Sequence, residues 1–131
     1  AGIQACYRGP RLYDAASTLQ MVRNTVDWYK KYRTILNADI ISLRRADSRD
    51  WDGWIHVDPN GLDKAFVMLF NPTATNITRT IQLPLYYAGI TSKAVLLDSE
   101  GLTSNYTADA EHRIQINVTI PANSYKWILI R

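Results

Sequence analysis

Residues 37–59, NADIISLRRADSRDWDGWIHVDP, are where one kind of sequence gives way to another. Before this stretch the apolar residues recur at helical spacing; after it they alternate, as a strand with one wet face requires. It is therefore read as the joint between a helix and a β-domain that follows. Within it Ile41 and Leu43 alternate with Ser42 and Arg44, and Trp54, Ile55, His56 and Val57 form a second short run. The polar turn ADSRDWDG separates the two.

Upstream, Leu19, Val22, Val26, Tyr29 and Leu36 recur at intervals of three, four and seven, which predicts an amphipathic helix over residues 15–36. Ser17 followed by Gln20 has the pattern of a capping box, with Asp14 as the alternative cap. A second stripe, Met21, Trp28, Tyr32 and Ile35, lies beside the first. The apolar face is then wider than a two-layer contact needs, and the helix wants more than one partner. Lys30, Lys31 and Arg33 complement the carbonyl end of the helix dipole. Residues 1–13 have no clear period and are punctuated by Gly2, Gly9 and Pro10, so they read as a loop or as the remnant of an element begun upstream. The start, AGIQACYRGP, has neither Met nor a signal-peptide profile, and suggests a piece of a longer polypeptide.

Downstream, residues 64–70 (KAFVMLF) are apolar on both faces, as in a central strand covered from both sides. Residues 77–83 alternate and stop at Pro84, and residues 93–97 form another short strand candidate. Ile114, Ile116, Val118 and Ile120 alternate with Gln115, Asn117 and Thr119 up to Pro121, and residues 125–130 close the chain with an aromatic and β-branched run. Strands at intervals of about ten residues with Gly, Pro, Asn and Asp between them predict a mainly β fold. The expectation is an antiparallel sandwich of about seven strands preceded by one amphipathic helix. It divides the chain into a loop and terminal helix over residues 1–36 and a sandwich domain over residues 37–131.

The 131 residues suit one domain of ordinary size, and no run of apolar residues is long enough to span a bilayer as a helix. Fifteen basic and 12 acidic residues are dispersed along the chain, so no nucleic-acid or membrane partner is inferred. Cys6 is the only cysteine, which excludes an intrachain disulfide, and it has no His or Cys neighbours suited to zinc. Asp47, Asp50, Asp52 and Asp58 could suggest a calcium loop, but Arg49 stands where such a loop needs an oxygen ligand, and Arg44 and Arg45 precede it. A salt-bridged turn or a domain contact fits that density of Arg and Asp better. His56 and His112 lie in no catalytic motif and read as structural, and no cofactor is implied. Asn76, Asn105 and Asn117 each open an Asn-x-Thr triplet, a pattern common by chance, and two of them fall in or beside predicted strands, which favours coincidence. Trp51, Trp54, Tyr86, Tyr87, Tyr106 and Trp127 are either core aromatics or platforms for sugar rings. Arg8 and Arg11 could contact an anionic or hydroxyl-rich ligand in a larger protein.

The succession RLYD, WYKKYRTILNADIISLRRADSRDWDGWIHVDP, VMLFNPT, LPLYYAG and NSYKWILIR resembles the C-terminal end of large glycoside hydrolases of the α-galactosidase-like (β/α)-barrel type. The resemblance implies that residues 15–36 are the last barrel helix and residues 39–131 the antiparallel sandwich behind it. It implies Gly at the position of Ser48 and Asn at that of Asp58. It places the catalytic carboxylates on barrel strands upstream of Ala1, so no catalytic residue is carried over. The function it implies is that of a non-catalytic accessory domain that covers and stabilises a barrel; the compartment is left open, with a secreted or periplasmic parent as one option. Trp28, Tyr32 and Ile35 are then expected to pack between domains, and Arg44, Arg45, Asp47 and Asp50 to fix the joint. The alternative is a carbohydrate-binding module using Trp51, Trp54 and Tyr86. A homodimer through the exposed helix face is a third expectation.

Overall fold

The computed structural model describes residues 15–131, so Cys6, Arg8, Arg11, Asp14 and the loop expected over residues 1–13 lie outside the described residues. One helix, α1 (Ala16–Leu36), leads into eight strands: β1 (Asp39–Arg44), β2 (Asp52–Val57), β3 (Ala65–Asn71), β4 (Ile77–Pro84), β5 (Lys93–Asp98), β6 (Thr103–Thr107), β7 (Arg113–Ile120) and β8 (Ser124–Ile130). A 3-10 turn, Tyr86–Ala88, follows β4. Six strands form one sheet in the order β1-β2-β3-β8-β5-β6, and β4 and β7 form a two-stranded ribbon. Every pairing is antiparallel. The architecture is mainly β and sandwich-like, with sheets of very unequal width.

Strand β3 sets the layering. In its register Phe66 stands between His56 and Leu129, and Val67 between Ile55 and Ile128. Alternation sends Ala65, Val67 and Leu69 to the ribbon side, where they join Ile81, Leu83, Ile114, Ile116 and Ile120 in the main core. Phe66 and Met68 go the other way and meet Tyr32, Ile35 and Leu36 of α1. That two-sided cover is why residues 64–70 lack an exposed face. The layers are helix, six-stranded sheet, ribbon.

The helix begins at a different cap from the one its sequence suggests. Ala15 is the N-cap and makes no side-chain bond, and the ladder opens with Leu19 N–H donating to Ala15 O at 3.1 Å. Ser17 lies inside the first turn, beyond the cap position, and Gln20 donates instead to Asn24 Oδ1 at 2.8 Å. The eighth strand, β6, reads TSNYT and has no apolar alternation to announce it; it pairs with β5 across a turn in which Asp98 Oδ1 accepts the N–H groups of Glu100 and Leu102.

Two local devices hold the layers in register. Gly53 pairs with Leu69, and a Cβ there would run into the carbonyl of Met68, so β2 and β3 can approach only over glycine. Asn71, 2% exposed at the end of β3, donates from Nδ2 to the carbonyls of Thr75, Ile120 and Pro121 at 2.8, 3.0 and 3.0 Å. Its Oδ1 accepts from the N–H and hydroxyl of Thr73. One buried amide thereby ties the six-stranded sheet to both strands of the ribbon at one end.

Candidate functional site

The helix–sheet interface concentrates the aromatic side chains. Trp28 lies 5.8 Å from Phe66 and 6.4 Å from Trp127, ring centre to ring centre, and Tyr32 lies 5.3 Å from both Phe66 and Trp127. Tyr32 and Ile35 are buried, whereas Trp28 is half-buried. All three expected packing residues therefore meet the outer face of the six-stranded sheet. Such tilted and edge-on ring pairs add about 0.5–1.5 kcal/mol each beyond the area they bury.

Only part of α1 is covered. Residues 28–36 supply its buried side chains, while Met21 is 61% and Val26 41% exposed. Leu19 and Val22 are half-buried. No residue of α1 before Trp28 joins the apolar cluster on the sheet. Beside Trp28, Asn24, Thr25, Met68, Tyr125 and Trp127 line a cleft of about 260 Å³.

The Arg and Asp residues of the β1–β2 connection form a braced turn. Arg44 pairs with Asp47 at 2.7 Å, and Asp47 Oδ1 also accepts the N–H groups of Arg49 and Asp50. The Arg44 guanidinium first, and then those N–H groups, hold the Asp47 carboxyl well below the usual carboxylate range. Asp50 reaches across to Arg79 on β4, at 3.2 Å, linking the turn to the ribbon. Partial burial opposes the charge on Asp50, but the Trp51 N–H and the Arg79 guanidinium outweigh it and lower its pKa. Arg45 is exposed. Among the described residues no group of three or more His, Cys, Asp and Glu side chains is arranged to hold a metal ion.

The three candidate sugar platforms do not share a surface. Trp51 is half-buried against the main core, and Trp54 is half-buried on the helix side with its ring 4.8 Å from Phe70. Tyr86 is 65% exposed on the 3-10 turn, beside Tyr87 at 62%. Those two rings stand at 86° to one another, and His112 lies 5.6 Å from Tyr86. His56 is 1% exposed, with Nδ1 3.4 Å from the carbonyl of Ala38, and burial lowers its pKa more than that contact raises it. A second cleft, about 300 Å³, opens between the ribbon and β5–β6 and is lined by Asp98, Glu100, Ser104, Tyr106 and Asn117, with Lys126 bridging to Glu100 at 2.6 Å. Sequence reading missed this cleft because its walls come from strands far apart in the chain, β5, β7 and β8, and from β6, which carries no periodic signal.

No family model matches the chain, and none of the curated proteins matches it. Among solved structures it is similar to a Bacillus halodurans protein provisionally assigned as an alpha-N-acetylgalactosaminidase, at 20% identity and a TM-score of 0.46. The match covers 70% of this chain and 19% of that one, so the chain spans about a fifth of that protein's length.

Proposed function

We propose that this chain is the non-catalytic C-terminal accessory domain of a glycoside hydrolase, and that α1 is the last helix of the catalytic barrel to which the sandwich is fixed. The observation that carries the reading is the divided surface of α1. Its second half is sealed onto the six-stranded sheet, while its first half holds Met21 and Val26 in water. Met21 continues the stripe of Trp28 and Tyr32, and Val26 the adjoining stripe of Leu19 and Val22, so the uncovered apolar side chains extend round a broad surface that fits a second packed layer, here the barrel. The succession of segments from RLYD to NSYKWILIR supports the same reading, since it resembles the end of α-galactosidase-like barrel enzymes. In this role Trp28, Tyr32 and Ile35 anchor the helix to the sandwich, and the Arg44–Asp47 turn, tied to the ribbon through Asp50, stiffens the connection.

The test is deletion. Removing residues 37–131 from the longer native polypeptide should lower its thermal midpoint and expose the sheet-binding face of α1, with loss of glycosidase activity on heating. The 131-residue chain alone should hydrolyse no aryl glycoside. An isolated chain that turns over such substrates would overturn the proposal. A second reading, carbohydrate binding, draws on Tyr86 and Tyr87 as exposed rings on one turn. Saturable glycan binding that disappears in Tyr86→Ala would establish it.

A further inference from the structure

The topology leaves four strands at sheet edges among the described residues: β1 and β6 in the large sheet, β4 and β7 in the ribbon. An open edge offers unpaired N–H and C=O groups to another chain, and proteins blunt such edges with charge, proline, bulges or cover. Strand β1 has this protection. It carries Asp39 and Arg44, and its register breaks at a bulge between Ser42 and Arg44.

The other three have less of it, β4 having Pro84 only at its last position. Strand β6, TSNYT, has no charged residue. The outward face of the ribbon consists of Thr78, Thr80, Gln82, Gln115, Asn117 and Thr119, all exposed and all uncharged. The one charged residue within β4, Arg79, is bonded to Asp50, and the one in β7, Arg113, sits at the strand's first position in a cluster with Asp109 and Glu111. In a chain with 15 basic and 12 acidic residues, such a face is poorly defended.

The three Asn-x-Thr triplets fall on these three strands. Asn105 and Thr107 lie in β6, Asn117 and Thr119 lie in β7, and Asn76 directly precedes β4, which contains Thr78. All six side chains are exposed. Because i and i+2 point the same way in a strand, Asn105 and Thr107 stand side by side, as do Asn117 and Thr119. Their position in strands, which in the sequence favours coincidence, acquires a use once these strands prove to be edges.

We propose that Asn76, Asn105 and Asn117 are acceptors for N-linked oligosaccharide, and that the three glycans cover the sheet edges that charge and bulges leave open. The donor is a lipid-linked oligosaccharide diphosphate. The amide nitrogen Nδ2 forms a C–N bond to the anomeric carbon as the C–O bond to phosphate breaks; the lipid diphosphate leaves with the electron pair, and the amide gives up one proton to a base of the transferase. This modification is independent of the hydrolase reading.

The experiment secretes the 131-residue chain from a eukaryotic host and maps the sites by peptide mass after amidase release, which leaves Asp at each occupied Asn. Self-association of the secreted sample is then compared, by sedimentation across a dilution series, with that of the same chain made in a bacterial cytoplasm, where no transferase acts and every Asn stays a neutral amide. The expected result is occupancy at two or more of the three positions, a monomer while glycosylated, and a roughly doubled or larger weight-average mass for the unglycosylated chain. A secreted variant with Thr78→Ala, Thr107→Ala and Thr119→Ala keeps every Asn and should associate like the bacterial sample. Because Thr78 and Thr119 bond each other at 2.8 Å, the bacterial sample is the primary comparison and does not depend on the variant's folding. Occupancy at fewer than two positions, or an unglycosylated chain that stays monomeric over the series, would overturn the proposal.

Discussion

At Ser48 the backbone takes φ 59°, in the left-handed region that disfavours a Cβ. The resemblance implies glycine there, and the structure supplies the reason. Relief of about 1–2 kcal/mol of backbone strain is partly offset by glycine's greater freedom in the unfolded chain, about 0.5–1 kcal/mol. Ser48→Gly should therefore raise stability by roughly 0.5–1 kcal/mol, read as a shift of the urea midpoint at unchanged slope. Asp58 shows the opposite outcome: its Oδ1 accepts the N–H groups of Asn60 and Gly61, which is the bond an asparagine would also make, so that departure is silent. Among the described residues His56 carries the clearest pH dependence above the carboxylate range. Its folded pKa is depressed by burial, so the unfolded chain binds the proton more readily. The stability that its neutral form contributes is complete above the unfolded value of about 6.5 and is lost as pH falls through the lower folded value. Urea midpoints should fall on acidification below about pH 6.5, and His56→Gln should flatten that limb. An identical slope in the variant would show that another group titrates there. The sequence marks His56 as structural, but the carbonyl it meets, Ala38, lies 18 positions away and is invisible to local reading.

At the scale of elements, legibility followed periodicity. Strands β4 and β7 were readable from their alternation, and β3 and β8 from apolar runs covered on both sides, over the whole of β3 and the last three residues of β8. Strand β6 was not, because an edge strand with one half-buried residue imposes no such pattern. The helix was readable by its stripes, and its excess width found half an explanation in the sheet. Its cap was misplaced because the start of a helix is set by where the backbone ladder can begin, and Ala15 opens it without a side-chain bond. Trp28 meets the rings of Tyr32, Phe66 and Trp127 in one interface, so Trp28→Ala should cost about 2–3 kcal/mol, below the full value for a wholly buried ring because it is half-buried. Chemical denaturation of the isolated chain measures this. A change under about 0.5 kcal/mol would mean that α1 is held by Tyr32, Ile35 and Leu36 alone.

For the whole molecule, the three-layer stack explains how a ribbon of two strands suffices on one side of a six-stranded sheet: the helix covers the other. The residues at the candidate site were largely legible as types and poorly legible as positions. Aromatic runs announced themselves, but whether Trp51, Trp54 and Tyr86 face solvent depends on which sheet faces the helix, and that is decided by pairings far apart in the chain. The central claim is that the first half of α1 is a surface made for another domain. Met21→Asp combined with Val26→Asp tests it most directly, measured as thermal midpoints in the 131-residue chain and in the longer native polypeptide. In the isolated chain both residues are exposed, and the midpoint should move by no more than about 2 °C. In the proposed parent enzyme two buried, unpaired charges should lower the midpoint by about 5 °C or more. Equal small shifts in both would show that the first half of the helix meets solvent in the parent as well, and would contradict the account.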